Sequence, residues 1–476
     1  MNKTTVLFFI RSRRWLLLLA APVIFTGCQK YEDKPLTPVL VDKALTTPSW
    51  QELRVEAQKT SSVQFPPTTL SPADGITPDT AAVLALLLNP SLRSMRDQHG
   101  EASAQLLQAG VLTNPQLTSS FAFVTGGYRT NTFNPYGIGV NWDVRQLIDR
   151  QARINSASYQ LKQVDLEVAW QEWQTAQAAR LAVYALAAAQ IQLDQALYAQ
   201  QILNKNYAIA LKADALRLIT LDDLSAALAA SQQADALVLT SRQQLQQSRL
   251  DLARAIGLPP NTVFTLNPAA LLPTSAVIPD AADLQNNVEN RRLDLMALHM
   301  GYQSQQEQLR VDILRQFPNV NIGFDQESDD TNVHTTGFGV NIDLPIFDQN
   351  QGQIALNAAT RQALYDDFIA RVFGARADIA SAIMDIGSLE AQIAQARLAA
   401  DKYAALAGLE RRGLSAQSVD IGAYAFAVNQ MAQQRILQVQ LQNQLAQNLI
   451  ALELASGESF FTRSNLPNNK TVGDAQ

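Results

Sequence analysis

One cysteine, three histidines and 17% charged residues in a chain of 476 leave little of the chemistry that enzymes use. With a single cysteine no intramolecular disulfide can form, even in an oxidising compartment. The histidines are scattered. His99 and His299 fall on the first predicted helix of each of two repeats described below, and His334 falls in a predicted loop beside Asp329, Asp330 and Thr331. There is no metalloprotease helix motif, no phosphate-binding glycine loop and no nucleophile elbow. Without converging acid, base or nucleophile, the chain is not expected to be an enzyme or to hold a metal or cofactor. Net charge is −6 with a pI near 5.3, and the charges are interspersed, so nothing supports binding to nucleic acid. Beyond the first 25 residues no apolar run is long enough for a membrane helix, so any crossing of a membrane must use β-strands.

What is present begins at the N-terminus. Lys3, Arg11, Arg13 and Arg14 precede the apolar run Trp15 to Phe25. That run is about half of the ~20 residues a membrane helix needs, which marks a signal peptide. It ends at Phe25-Thr26-Gly27-Cys28, and Cys28 is the only cysteine. A lone cysteine after a small residue resembles the lipobox of bacterial lipoproteins, in which the thiol is lipidated and starts the mature chain. The alternative is an ordinary secretory signal with an incidental cysteine. Phe25 departs from the leucine usual there. Gln29 in place of Asp resembles the sorting pattern for the outer membrane.

The chain is internally duplicated. Gly137-Ile138-Gly139-Val140-Asn141-Trp142-Asp143-Val144 recurs, 200 residues on, as Gly337-Phe338-Gly339-Val340-Asn341-Ile342-Asp343-Leu344. Gln151, Ile154, Leu252, Ala255 and Gly257 are repeated at the same separation by Gln351, Ile354, Leu452, Ala455 and Gly457. Upstream, Asn89-Pro90-Ser91-Leu92 answers Arg292-Leu293-Asp294-Leu295, and Pro115 answers Pro318 at a separation of 203. The three-residue difference falls in a hairpin loop, where length changes are tolerated. Two repeats follow, 78–257 and 280–457, preceded by a signal peptide over 1–27 and an extended segment over 28–77. A linker over 258–279 joins the repeats, and 458–476 is a polar tail.

Each repeat reads as helix, hairpin, long helix, turn, helix. Thr77-Pro78, and Asp280 with Asp283, mark helix starts. These helices are predicted to run unbroken to about Thr113 and Gln316, just before a proline. Proline-free Ala/Gln/Leu segments over 146–216 and 350–411 predict helices too long to stand without a coiled-coil partner. Turns are expected at Arg217 to Thr220 and at Arg412 to Ser415.

The hairpins, 115–144 and 318–344, carry strands of strict alternation. Leu117, Ser119, Phe121 and Phe123 share one face of the first; Ile138, Val140, Trp142 and Val144 are the apolar face of the second. Val320, Ile322 and Phe324 repeat this in the third, and Phe338, Val340, Ile342 and Leu344 in the fourth. The opposite face is Gly, Asn and Asp, which suits a water-filled lumen with the apolar side chains facing lipid. A soluble sheet covered on one side by a helix would alternate in the same way. Four strands cannot close a barrel, so in lipid the barrel must be shared between chains: eight strands from two, or twelve from three. The polar, glycine-rich face favours three.

On the duplicated helix–hairpin–helix–turn–helix order, the Asn89-Pro90-x-Leu92 element, the Asn-x-Asp strand ends at 141–143 and 341–343, and the lipobox, the chain resembles the outer-membrane efflux protein family, the TolC-like ducts, in its lipidated branch. The resemblance implies an α+β membrane protein: a homotrimer with a twelve-stranded outer-membrane β-barrel continuous with a twelve-helix coiled-coil tunnel in the periplasm. It implies docking to a periplasmic adaptor and an inner-membrane pump, and a passive duct whose only covalent group is the lipid on Cys28. It also implies acidic side chains around a closed periplasmic tip, and the matching positions are Asp222, Asp223 and Asp420. Ala423 stands where a further aspartate is expected, a departure from a double acidic ring. Arg217, Thr220, Arg411, Arg412, Gly413, Leu414 and Ser415 are candidates for adaptor or gate contacts, or for a merely solvated turn. Asp223 is equally explained as a capping residue for Thr220. A lipid-tethered coiled-coil structural or adhesion protein is the competing function. It accounts for the lipobox and long helices but not for the duplicated strands.

Overall fold

The computed structural model describes residues 30–46, 48–59, 75–127, 132–260, 262–267, 272–415 and 421–460. Cys28, the rest of the signal segment and Asp420 lie outside the described residues. The chain divides into two units, Met1–Pro48 and Ser49–Gln476. The described part of the first unit is an extended run followed by α1 (Pro38–Leu45), capped by Thr37.

In the second unit α2 is Trp50–Lys59, and the two repeats follow it. The first contains α3 (Pro78–Leu88), α4 (Pro90–Gly110), β1 (Gln116–Phe121), β2 (Tyr136–Asp143), α5 (Gln146–Ala215) and α6 (Leu221–Ile256). The second contains α7 (Ala281–Gln285), a 3₁₀ turn at Val288–Asn290, α8 (Leu293–Leu314), β3 (Val320–Ser328), β4 (His334–Ile342), α9 (Gln351–Ser415) and α10 (Ile421–Ser456). With 70 and 65 residues, α5 and α9 extend roughly 105 and 98 Å at 1.5 Å per residue.

These lengths are held by paired seams. On α9 the buried residues Ala375, Ile379, Ala382, Ile386, Leu389, Ile393 and Ala396 step by four and three, the spacing of a coiled-coil face, and pack on Leu441, Leu445, Leu449 and Leu452 of α10. On α5 the residues Ala179, Leu186, Leu193 and Ala196, each 200 before its counterpart, pack on Val238, Leu245 and Leu252 of α6. Full burial of each Leu or Ile contributes about 1.5–3 kcal/mol, so the seams supply most of what keeps these helices straight. The alanines between allow close approach of the axes.

Both first helices are broken, where the sequence predicts unbroken ones. Asn89 precedes Pro90, which disfavours helical backbone, and its side chain caps α4 by accepting from Ser91 N–H. In the second repeat Asn287 takes a left-handed conformation (φ 57°) and the chain restarts at Leu293. Each break seats the end of its own repeat's return helix. Gly257 (φ 90°) and Gly457 (φ 73°) terminate α6 and α10 in the left-handed region, which glycine adopts at least cost. A Cβ on Gly257 would come within 2.8 Å of the Leu88 carbonyl oxygen, and one on Gly457 within 2.9 Å of that of Arg291. Asn89 Nδ2 donates to the Ala255 carbonyl at 3.1 Å, and Arg292 Nη1 to that of Ala455 at 3.5 Å.

Two further differences concern the turns. Arg412 to Ser415, predicted as the second turn, still belong to α9: a single glycine costs only roughly 1 kcal/mol in a helix, so Gly413 does not by itself end one. His334 is the first residue of β4 rather than a loop residue. Asp329 Oδ1 accepts from the backbone N–H groups of Thr331 and Val333, both at 2.9 Å, and closes a turn tight enough to extend the ladder to Ser328–His334. These bonds hold the Asp329 carboxyl below its ordinary value.

Candidate functional site

The four strands form one antiparallel sheet in the order β1-β2-β3-β4. Its register aligns the two repeats' alternation into continuous rows. Leu117 faces Val140, which faces Phe324, which faces Phe338. Trp142, Ile322 and Val340 form the next row, and Val320 faces Ile342. These side chains lie on one face and most stand open: Leu117 is 74% exposed, Phe338 70% and Phe324 56%. Phe121 and Ile138 belong to the same face. Phe123, expected among them, lies two residues past the end of β1 and is also exposed. Trp142 is only half-buried, and its indole N–H donates to the Thr113 carbonyl at 2.9 Å, fixing the base of the hairpin to the end of α4.

The opposite face carries Thr118, Ser120, Gly137, Gly139, Asn141, Asp143, Asn321, Gly323, Asp325, Glu327, Gly337, Gly339 and Asn341. Among the described residues neither β1 nor β4 has a strand on its outer side, so both edges present unpaired N–H and C=O groups. A sheet apolar on an exposed face, polar on the other and open at both edges is half-finished in water and unfinished in lipid.

Immediately beneath the sheet, polar networks join the helix ends. Asp149, 4% exposed, accepts from Arg153 at 2.9 Å and from Arg315 at 3.3 Å. Asp312, 1% exposed, accepts from Asn357 and pairs with Arg315 at 3.6 Å. Farther along the shaft Arg180 is buried between Asp79 at 2.5 Å and Glu453 at 3.5 Å, and Gln177 donates to Glu453 at 2.7 Å. This cluster ties α3 and α5 of the first repeat to α10 of the second. Burial beside it pushes the Tyr184 hydroxyl up to about 12.

At the far end of the helices, α5 closes with a Schellman arrangement: Leu218 N–H donates to the Ala213 carbonyl at 2.9 Å and Arg217 N–H to that of Asp214 at 2.7 Å. Arg217 occupies the left-handed position (φ 55°) and is exposed. Thr220 caps α6, its Oγ1 accepting from Asp223 N–H at 3.2 Å while Asp223 Oδ2 accepts from Thr220 N–H at 3.0 Å. Asp223 therefore has a local structural task, whereas the neighbouring Asp222 side chain is exposed. Arg411 and Arg412 are exposed on the last turn of α9; Gly413 is half-buried, and Leu414 and Ser415 complete the helix.

Arg411 also lines a groove of about 780 Å³ between α5, α9 and α10, with Lys205, Arg435, Tyr198, Tyr424 and Asn206. Burial raises the Tyr424 hydroxyl above its ordinary value. Asn206 Nδ2 donates to the Ile421 carbonyl at 3.3 Å, linking the two hairpins at this end. Sequence reasoning missed this basic lining because its residues are some 200 positions apart and meet only through helix packing. His99 pairs with Asp165 at 2.5 Å, and His299 stands beside Gln303 and Phe368. The His334 ring approaches Tyr136 at 6.3 Å.

Residues 284–458 match the family model of the outer membrane efflux protein. That span is nearly the whole of the second repeat. The first repeat lies outside the matched span and is tied to the second by the 200-residue duplication and the shared sheet. In fold the chain is similar to CusC, whose structures concern conformational changes accompanying folding and transmembrane channel formation; identity is 17%, with 84% of this chain and 97% of that one covered at a TM-score of 0.68. VceC from Vibrio cholerae, an outer membrane protein, is 18% identical and aligns over 80% of this chain and 96% of its own at a TM-score of 0.66. The outer-membrane channel OprN is 15% identical, with 91% of this chain and 100% of that one covered at a TM-score of 0.69. No curated protein matches the sequence. The fold is thus that of outer-membrane channels across both repeats.

Proposed function

We propose that the chain is the outer-membrane duct of a tripartite export system, through which an inner-membrane pump and a periplasmic adaptor move small molecules. The observation that carries this reading is the four-stranded sheet, apolar on an exposed face and open at both edges. An open edge in hydrocarbon costs several kcal/mol per unpaired backbone group, so the edges must be paired by other copies. Three copies give twelve strands and a water-filled bore, which the glycine-rich inner face suits. The helices supply a tunnel, since α5 alone extends roughly 105 Å. No helix among the described residues is long and apolar enough to cross a membrane, which leaves the strands to do so.

In this assembly Phe121, Phe123, Ile138, Val140, Trp142, Val320, Ile322, Phe324, Phe338, Val340 and Ile342 face lipid. Cys28 carries the lipid anchor. Asp222, Asp223 and Asp420 line the periplasmic end, and Arg217, Thr220 and the stretch Arg411 to Ser415 meet the adaptor. The chain contributes no catalysis: transport is passive and driven by the pump. Light scattering and negative-stain imaging of detergent-extracted protein test the reading. A trimeric hollow rod well over 100 Å long, about one long helix plus a barrel, is expected. A monomer or a compact dimer would overturn the shared barrel.

A further inference from the structure

Near the far end of the helices, the groove between α5, α9 and α10 encloses about 780 Å³, the size of a site for a small organic molecule. The space exists because α9 turns Ala404, Ala407 and Gly408 towards it, and a Cβ on Gly408 would meet nothing within 4 Å. Ala407, Val428 and Met431 are buried and make an apolar floor. Lys205 of α5, Arg411 of α9 and Arg435 of α10 line the same space, and no described aspartate or glutamate does. Acidic residues outnumber basic ones in the chain, 43 to 37, so this lining of one sign is local and does not follow from composition. Among the described residues neither Lys205 nor Arg435 has a carboxylate partner; Arg435 Nη1 donates to the neutral side chain of Gln195 at 3.3 Å. Three like charges brought to one space from three helices repel, and an anion among them relieves that repulsion.

We infer that this groove binds an elongated organic anion, its apolar body on the floor and its carboxylate, sulfonate or phosphate-ester groups held by Lys205, Arg411 and Arg435. Guanidinium forks match such oxygens with paired, charge-assisted hydrogen bonds. The hydroxyls of Tyr198 on α5 and Tyr424 on α10 add two neutral donors. From Tyr424 to Arg435 the axis of α10 rises roughly 16 Å, which sets the length of the ligand. Because α5 belongs to the first helical hairpin and α9 and α10 to the second, a bound anion bridges the two. The site lies within one chain and does not depend on whether copies assemble.

The experiment is isothermal titration of the full-length protein, in an uncharged detergent, with 2,6-naphthalenedisulfonate. Saturable binding at one site per chain is expected. It should weaken roughly tenfold between about 0.1 M and about 1 M salt, as the Debye length falls from about 10 Å to about 3 Å. The uncharged analogue 2,6-naphthalenedimethanol should not bind. The double variant Lys205→Gln, Arg435→Gln should bind about tenfold more weakly or worse, and Arg435→Lys, which keeps the charge, should lose less. Circular dichroism checks that each variant folds. Lys205 is exposed, so Lys205→Glu reverses a charge without disturbing the packing and should abolish binding even where the double variant misfolds. No saturable binding by the wild type, equal binding of the uncharged analogue, or an affinity unchanged in the folded variants overturns the inference. So does a glutamate-rich helical peptide that binds the groove where the disulfonate does not, which makes this a protein-docking face. None of these outcomes touches the duct reading, which the trimeric rod or its absence decides separately.

Discussion

Replacing Gly257 by alanine should destabilise the protein far more than removing a surface glycine elsewhere. At φ 90° a side chain costs about 1–2 kcal/mol. The new Cβ would also sit 2.8 Å from the Leu88 carbonyl oxygen and 2.9 Å from Asn89 Cα, backbone atoms that cannot rotate away. Relieving that contact must push α6 from the break between α3 and α4 and weaken the 3.1 Å bond from Asn89 to the Ala255 carbonyl. Together these amount to about 3 kcal/mol, or a Tm roughly 3 °C lower for a chain of 476 residues. Gly457→Ala should behave alike, since it meets Arg291 in the same way at φ 73°. The control is Gly387→Ala. Gly387 lies within α9, is exposed and leaves open space, with nothing within 4 Å of where a methyl group would stand, so alanine should stabilise by about 0.5–1 kcal/mol. Loss of the helical circular dichroism signal on heating, with all variants in one detergent, measures the difference. If Gly257→Ala melts no lower than Gly387→Ala, the docking of helix end on helix break is not what stabilises the repeat.

Breaking the buried cluster by Glu453→Ala should cost about 3 kcal/mol, because the buried Arg180 loses a carboxylate partner; Glu453→Gln, which keeps the shape, should cost less, and thermal melting ranks them. Phe324→Arg places a charge mid-row on the apolar face and should cost about 2–4 kcal/mol in the membrane, visible as lost outer-membrane insertion, whereas Asn141→Asp on the opposite face should insert normally. Thr220→Ala removes the cap of α6 and should cost about 1 kcal/mol, read as faster backbone hydrogen exchange over its first turn. The Tyr184 hydroxyl titrates at about 12 when folded and near 10 when unfolded. The folded state thus holds its proton longer, so stability is complete below pH 10 and falls by about 1.4 kcal/mol per unit between pH 10 and 12. Tyr184→Phe should flatten that fall; an identical pH profile would refute the assignment.

Much of the fold was legible because it is periodic. Alternation of two along Val320, Ile322 and Phe324 marks a strand whatever it pairs with, and the four-and-three steps of α9 mark a coiled-coil face. The start of α3 at Thr77-Pro78 was equally plain, since capping is a local hydrogen bond. The breaks in the first helices were not. Pro90 signals one and Asn286-Asn287 only weakly signals the other, and that Gly457 docks beside it on Arg291, from some 170 residues away, is not written in either segment. Gly413 suggested a turn, but one glycine weakens a helix without ending it, and Asp329 shortened a loop through hydrogen bonds that composition does not reveal. The tip groove was illegible for the same reason: Lys205, Arg411 and Arg435 share no motif and meet only when α5, α9 and α10 pack together.

The sequence by itself determined the duplication, the length of the helices and the two-faced strands, because each follows from spacing along one chain. Only the tertiary structure decided that β2 pairs with β3, joining the two hairpins into one sheet with apolar rows running across the repeats and open edges at β1 and β4. It alone brought each return helix's final glycine onto the break in its own repeat, and Arg180 between Asp79 and Glu453. Those arrangements rest on contacts between residues one hundred to three hundred positions apart, where packing and desolvation, not local propensity, set the free energy.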